Sequence, residues 1–279
     1  MMFRANINLL AEMTMARKSK QNSQAQQQSL ELKYITPKTT SQHQAFEAFY
    51  DGYHPILMGC AGTGKSFISI YLGLEAIFDS TSPYKKLTIV RSAVPSRELG
   101  FLPGDEAGKI AIYKKPYVQI VNELLGRSDG FEILEKKGLI EFVSTSFLRG
   151  TTINNTIIFL DEIQNLSSTE LHTVVTRIGR DSALILAGDF FQNDLSDNES
   201  GLKEFYEIAK RVKNFKIVNF TEKDILRNPF IKDYIIAKNA VEKERKERKQ
   251  FSGHKIERNY LNSITINGKE HTLHEMPVN

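Results

Sequence analysis

An α/β fold, with a mostly parallel sheet covered by helices on both faces, is the class that this sequence predicts. Three observations carry it. Short apolar runs alternate with amphipathic stretches of helical length between residues 36 and 220, the order that builds parallel sheets through helical crossovers. The first apolar run, His54-Pro55-Ile56-Leu57-Met58, leads into Gly59-Cys60-Ala61-Gly62-Thr63-Gly64-Lys65-Ser66 and then Phe67-Ile68-Ser69-Ile70-Tyr71-Leu72. That is a strand, a glycine-rich turn of the form G-x-x-x-x-G-K-S, and a helix start. Acidic residues close two later apolar runs, and ligands of such sheets bind outside the carboxyl ends of the strands.

The elements follow in order. Residues 1–35 form a polar tail: Met15-Ala16-Arg17-Lys18-Ser19-Lys20 opens a basic, glutamine- and serine-rich tract with too few apolar groups to offset chain entropy. Thr40 and Ser41 are helix N-cap types, and Gln42 to Tyr50 has helical spacing that Asp51-Gly52 ends. Lys65 to Phe78 reads as helix and Leu87 to Val90 as a buried strand ending in Arg91. Glu106 to Leu125 reads as a helix broken near Pro116, since proline lacks the donor that a helix interior needs. A helix over Gly130 to Lys137 precedes strands at Leu139–Val143 and Thr156–Leu160. Thr169 to Ile178 reads as helix, Ala183 to Leu186 as strand, Leu202 to Val212 as helix and Phe215 to Phe220 as the last strand. Residues 36–237 thus form one domain. Beyond it, residues 238–279 hold a mixed-charge helix (Val241 to Lys249) and a hairpin over Ser263 to Glu270 with an Asn267-Gly268 turn.

Composition narrows the function. The chain has 279 residues, 41% hydrophobic and 25% charged, as in an ordinary globular protein. The single cysteine, Cys60, leaves no intramolecular disulfide and no cysteine-based metal cluster, which points to a reducing cytoplasm. No apolar run approaches the roughly eighteen residues that would cross a bilayer, so no membrane partner is expected. A net charge of +4 permits a nucleic-acid partner without requiring one.

The glycines of the turn let successive N–H groups point into one concavity at a helix N-terminus, an anion nest. Lys65 can reach the outer phosphates of a nucleotide and Ser66 can set its hydroxyl on Mg²⁺. Thr156-Ile157-Ile158-Phe159-Leu160-Asp161-Glu162 ends in two carboxylates. Hydrolysis needs one acid for the metal and one to activate water, and adjacent side chains point different ways. Asp161 is therefore assigned to the metal and Glu162 to the base. A later strand ends in Gly188-Asp189, with Gln192 placed to touch both the γ-phosphate and the attacking water. Without the other motifs, an ordinary loop glutamine is the preferred reading of Gln192.

The Asp161-Glu162-Ile163-Gln164 and Gly188-Asp189-Phe190-Phe191-Gln192 pair resembles the ATPase core of superfamily-one helicases. Gly100-Phe101-Leu102-Pro103-Gly104-Asp105, Phe147-Leu148-Arg149-Gly150 and Thr176-Arg177-Ile178-Gly179 resemble the PhoH-like family of phosphate-starvation ATPases, compact members of which are often encoded by bacteriophages. The resemblance implies a three-layer, RecA-like P-loop NTPase using ATP and Mg²⁺. By it, Gln42 corresponds to the glutamine that reads the adenine edge, Ser41 and Cys60 stand where relatives often have asparagine and proline, and Asp224-Ile225-Leu226-Arg227-Asn228-Pro229 matches an arginine motif.

An arginine finger usually stabilises the leaving phosphate. Helicases of this type supply it from a second domain, but only about forty residues follow position 240. The finger is therefore expected from within the domain or from a neighbouring subunit. Arg227 acting in trans is favoured, with Arg91, Arg149 and Arg177 as rivals, and a trans finger implies a ring, with a hexamer as the expected size. The helicase resemblance also implies RNA or single-stranded DNA as partner. Lys109, Lys114 and Lys115 interleaved with Tyr113 and Tyr117 suit a groove that tracks phosphates and stacks bases, and suit a solvated helix face as well. Two alternatives stay open: an oligomeric ATP-driven regulator with no nucleic-acid track, and a P-loop kinase, against which the water-activating Glu162 argues.

Overall fold

The computed structural model describes residues 30–92, 106–148, 150–189, 201–241, 244, 263–266 and 269–272. Its sheet holds β1 (His54–Gly59), β2 (Lys86–Arg91), β3 (Ile140–Ser144), β4 (Thr156–Leu160), β5 (Ala183–Gly188) and β6 (Phe215–Phe220) in the order β3-β2-β4-β5-β1-β6. Every pairing in it is parallel. The helices are α1 (Thr40–Tyr50), α2 (Lys65–Phe78), α3 (Glu106–Leu125), α4 (Gly130–Lys136), α5 (Ser168–Val175) and α6 (Leu202–Ala209).

Strand alternation sorts the side chains into two cores. Leu57, Ile157, Phe159 and Ile185 face α1 to α4, while Ile56, Met58, Ile158 and Leu184 face α5 and α6. The result is the predicted three-layer, RecA-like α/β fold. Phe159 is fully buried in β4, so Phe159→Ala would cost about 3–5 kcal/mol.

Several local expectations change, the helix expected to reach Val212 ending at Ala209 among them. The N-cap of α1 is Thr39, whose side chain accepts from Gln42 N, because Ser41 is drawn to a tertiary partner instead. Its hydroxyl bonds Asn219 O at 3.0 Å and Asp224 Oδ2 at 2.9 Å. Helix α3 runs through Pro116 unbroken. Pro116 and Ile112 both lie on its exposed side, so the carbonyl that loses its helical donor is left to water. Helix α5 stops at Val175, three residues early, because the chain turns back to pair with Ile153: Ile153 N donates to Arg177 O at 2.8 Å and Gly179 N to Ile153 O at 2.7 Å.

The tail expected to reach residue 35 ends sooner. Leu30, Leu32 and Ile35 pack on the core, and Lys33 N donates to Leu124 O at 2.9 Å. Residues 30–38 thus form a strap across the end of α3. Finally, residues 229–241 are helical, starting before the charged run. Asn228 Oδ1 accepts from Ile231 N at 2.9 Å and Pro229 sits at the first helical position, a start signal present in the sequence. Outside this sheet, β7 (Ser263–Ile266) and β8 (Lys269–Thr272) pair antiparallel, with Asn267-Gly268 outside the described residues.

Candidate active site

The loop Gly59–Ser66 leaves β1 between β5 and β6. Gly59 has φ 141°, and a Cβ there would stand 1.8 Å from Phe220 O on β6, so only glycine lets the chain leave the sheet at this point. Gly64, at φ 86°, begins α2 without any side-chain cap, which leaves the first N–H groups of the helix to a ligand. Thr63 is fully buried and donates to Cys60 O at 3.0 Å, bracing the loop from within. Lys65 Nζ lies across it, donating to Gly59 O at 2.7 Å and Cys60 O at 2.8 Å. Burial pushes the Lys65 pKa down, against the pull of Asp189 and Asp161.

Asp161 follows β4 and is almost wholly buried. Its Oδ2 accepts from Ser66 Oγ at 2.9 Å and from the Tyr117 hydroxyl at 3.1 Å, and its Oδ1 from Glu162 N at 3.0 Å. Burial first, then the charge of Glu162, lifts its pKa up to about 6. Glu162 sits at φ 55°, a left-handed backbone that costs about 1–3 kcal/mol.

Gln164 holds this arrangement, although the sequence assigned it no role. It is 1% exposed; its Nε2 donates to Glu162 Oε2, and its Oε1 accepts from Asp189 N at 3.0 Å. Gly188 makes room, since a Cβ there would meet Ile163 Cγ1 at 2.5 Å and Gln164 Oε1 at 3.0 Å. The buried amide therefore links the ends of β4 and β5.

A cleft of about 600 Å³ joins these groups: Ile35, Lys38, Gln42, Gly62, Gly64, Lys65, Ser66, Phe67, Ile120, Glu123, Asp161, Glu162, Asp189 and Arg227 are among its walls. Gln42 lies beneath the loop. Its Nε2 donates to Thr63 O at 3.1 Å and its Oε1 accepts from Lys38 N at 2.8 Å, leaving one N–H and one lone pair for a base.

Arg227 is exposed and lines its own chain's cleft. Asp224, buried, accepts from Thr221 N at 2.7 Å and from Ser41 Oγ, and Ile225 is buried behind it. The chain emerges over the loop, where a Cβ on Gly62 would lie 3.4 Å from Arg227 Cγ. Arg91, ending β2, lies with its guanidinium carbon 5.0 Å from the Tyr113 ring centre. Burial works against its charge, and Tyr117, Glu162 and Asp161 more than restore it. Arg177 is not among the cleft's walls; it lies in the turn that pairs with Ile153. Arg149, Gln192 and the Gly100–Asp105 motif lie outside the described residues.

Of the α3 residues that suit either a groove or a solvated face, those described do not line a groove together. Tyr117 is 2% exposed, with its ring 5.4 Å from Phe142. Tyr113 is taken by Arg91, and Lys114 pairs with Glu135 at 2.6 Å. The side chain of Lys109 lies outside the description, and Lys115 alone does not make a groove. No described helix is long and apolar enough to cross a membrane.

Comparison with known proteins supplies the family. The family described as PhoH-like protein matches residues 34–239. The chain belongs to the PhoH-like family. Among its relatives in that family, the PhoH-like protein of Bacillus subtilis (strain 168) is 31% identical over 207 residues, 74% of this chain and 64% of the relative. The one from Synechocystis sp. is 31% identical over 205 residues, 73% and 62% of the two chains. The chain therefore spans under two thirds of the length of these relatives. Among solved structures, the Sulfolobus solfataricus SWI2/SNF2 ATPase core in complex with dsDNA aligns with TM-score 0.40 and 13% identity, over 67% of this chain and 45% of that one. Pif1 helicase from Candida albicans aligns with TM-score 0.33 and 16% identity, over 71% and 43%.

Proposed function

We propose that this chain hydrolyses ATP with Mg²⁺. The observation that carries the reading is the contact of Ser66 with Asp161 at the mouth of the phosphate loop. It places two hard oxygen donors together, the set that Mg²⁺ takes from a protein when phosphates and waters complete its shell. Bound there, Mg²⁺ would neutralise charge on the outer phosphate oxygens.

The remaining work falls to the chain's own residues. The loop N–H groups of Gly62 to Lys65 receive the phosphates. Lys65 exchanges its two carbonyl partners for phosphate oxygens, whose negative charge favours its ammonium form. Glu162, held by Gln164, takes the proton of the attacking water. Arg227, reaching over Gly62, stabilises the charge on the transferred phosphate in cis, so the neighbour that a trans finger demanded is not needed. On this reading turnover does not require a ring. Gln42 keeps one donor and one acceptor toward adenine, as the family resemblance implies.

The proposal extends to single-stranded nucleic acid as a partner, RNA or DNA. Its support among the described residues is Phe147, 58% exposed on the turn after β3, a face on which a base can stack. Phosphate release from Mg·ATP, measured with and without single-stranded RNA and DNA, tests both parts. Turnover lost in Lys65→Ala supports the ATPase. Stimulation by either strand, weakened in Phe147→Ala, supports the partner, and an unchanged rate refutes it in favour of a regulator without a nucleic-acid track.

A further inference from the structure

Three donors of different freedom hold Asp161. Glu162 N bonds its Oδ1 at 3.0 Å, while Ser66 Oγ and the Tyr117 hydroxyl share its Oδ2, at 2.9 and 3.1 Å. Ser66 belongs to the phosphate loop and lines the cleft, so its hydroxyl can turn to a ligand there. Tyr117 has no such freedom. It comes from the middle of α3, 2% exposed and outside the cleft's walls. Its ring centre lies 5.4 Å from that of Phe142 and, edge to face, 6.4 Å from that of Phe159. Val121 and Leu124, fully buried, anchor the next two turns of the helix. A buried phenol keeps a hydrogen-bond partner, and the Asp161 carboxylate is the partner of this one. A carboxylate held at one oxygen alone turns readily about its terminal bond. Here the Glu162 N–H fixes one oxygen and the phenol the other, so the group keeps its aim when Ser66 turns away. Outer donors of this kind orient a metal-binding side chain.

We infer that Tyr117 is a positioning residue: its hydroxyl sets the Asp161 carboxylate for Mg²⁺ and raises the metal affinity of the nucleotide site, while touching neither metal nor nucleotide. This rests on the Mg·ATP reading above. It gives the helix α3 a part in the site that the phosphate loop and the acids do not supply.

Tyr117→Phe removes the hydroxyl and keeps the packed ring, with folding checked by a thermal melt. Calorimetric titration of the full chain with the non-hydrolysable analogue adenylyl imidodiphosphate, in excess Mg²⁺ and in excess chelator, isolates the metal's share of binding from turnover. In chelator the variant should bind within about twofold of wild type, and it should lose about tenfold or more of the tightening that Mg²⁺ brings. In phosphate release, half-saturation by Mg²⁺ should rise by a similar factor, with kcat recovered at high Mg²⁺. Equal weakening in Mg²⁺ and in chelator reduces the tyrosine to a brace, and an unchanged gain from Mg²⁺ leaves the hydroxyl without a role. Either result overturns the inference while leaving the ATPase standing. A variant without a cooperative melt makes the hydroxyl a requirement of folding and overturns the inference as well. A wild type that gains nothing from Mg²⁺ overturns the Mg·ATP reading itself, and this inference with it.

Discussion

Gln164→Leu separates the positioning of the base from the binding of the nucleotide. Leucine nearly matches glutamine in volume but removes both ends of the bridge, the Nε2 donor to Glu162 and the Oε1 acceptor for Asp189 N. The stranded, buried Asp189 N–H should cost about 1–3 kcal/mol of stability. For a domain of this size that is a Tm lower by roughly 3–10 °C. Glu162 loses a hydrogen bond to a charged group, worth about 1.5–3 kcal/mol, in the element whose left-handed backbone already carries strain. If that bond aligns the carboxylate for proton transfer, kcat should fall roughly ten- to hundredfold. Because Gln164 is not among the cleft's walls, KM for ATP should change less than about twofold. Phosphate-release kinetics and a thermal melt measure both. A kcat within twofold of wild type beside a lowered Tm would reduce Gln164 to a structural brace and refute the reasoning.

Two further outcomes follow from the same geometry. Arg227→Ala should lower kcat about 10³-fold or more if it is the finger, and mixing it with Lys65→Ala protein should restore nothing; activity regained on mixing would show that the arginine serves a neighbour. Asp161, with its pKa raised to about 6 from 3.8, binds its proton more tightly folded than unfolded. The stability this contributes is full below the unfolded value and lost as pH rises through about 6. The shift of roughly two units is on the order of 3 kcal/mol. In chelator, Asp161→Asn should therefore gain stability over wild type by up to that amount between pH 4 and pH 8, read from urea midpoints; a gap that stays constant would contradict it.

What the sequence disclosed was local. The phosphate loop and the Asp161–Glu162 pair each sit within one strand–turn unit, so contiguous residues declare them. What it hid depends on contacts distant in the chain. Ser41 reads as a cap by type, yet Asp224, 183 residues away, claims it. The same contact directs Arg227 to its own cleft, which no local pattern announces. Tyr117 reads as a stacking aromatic beside lysines, and the hydroxyl it gives to Asp161 turns it inward. The strap has no periodicity, because backbone bonds and three apolar side chains hold it. The helix over residues 229–241 is a different case, since Asn228-Pro229 marks its start in plain residue types.

In the proposed reaction Glu162 activates water in a nucleotide site that Lys65 and Ser66 hold open. Single-turnover hydrolysis of Mg·ATP by Glu162→Gln, paired with its equilibrium Kd for Mg·ATP, tests it most directly. The variant should keep a Kd close to wild type and hydrolyse ATP about 10²-fold or more slowly, the worth of a positioned general base. Near-wild-type hydrolysis by Glu162→Gln would contradict it.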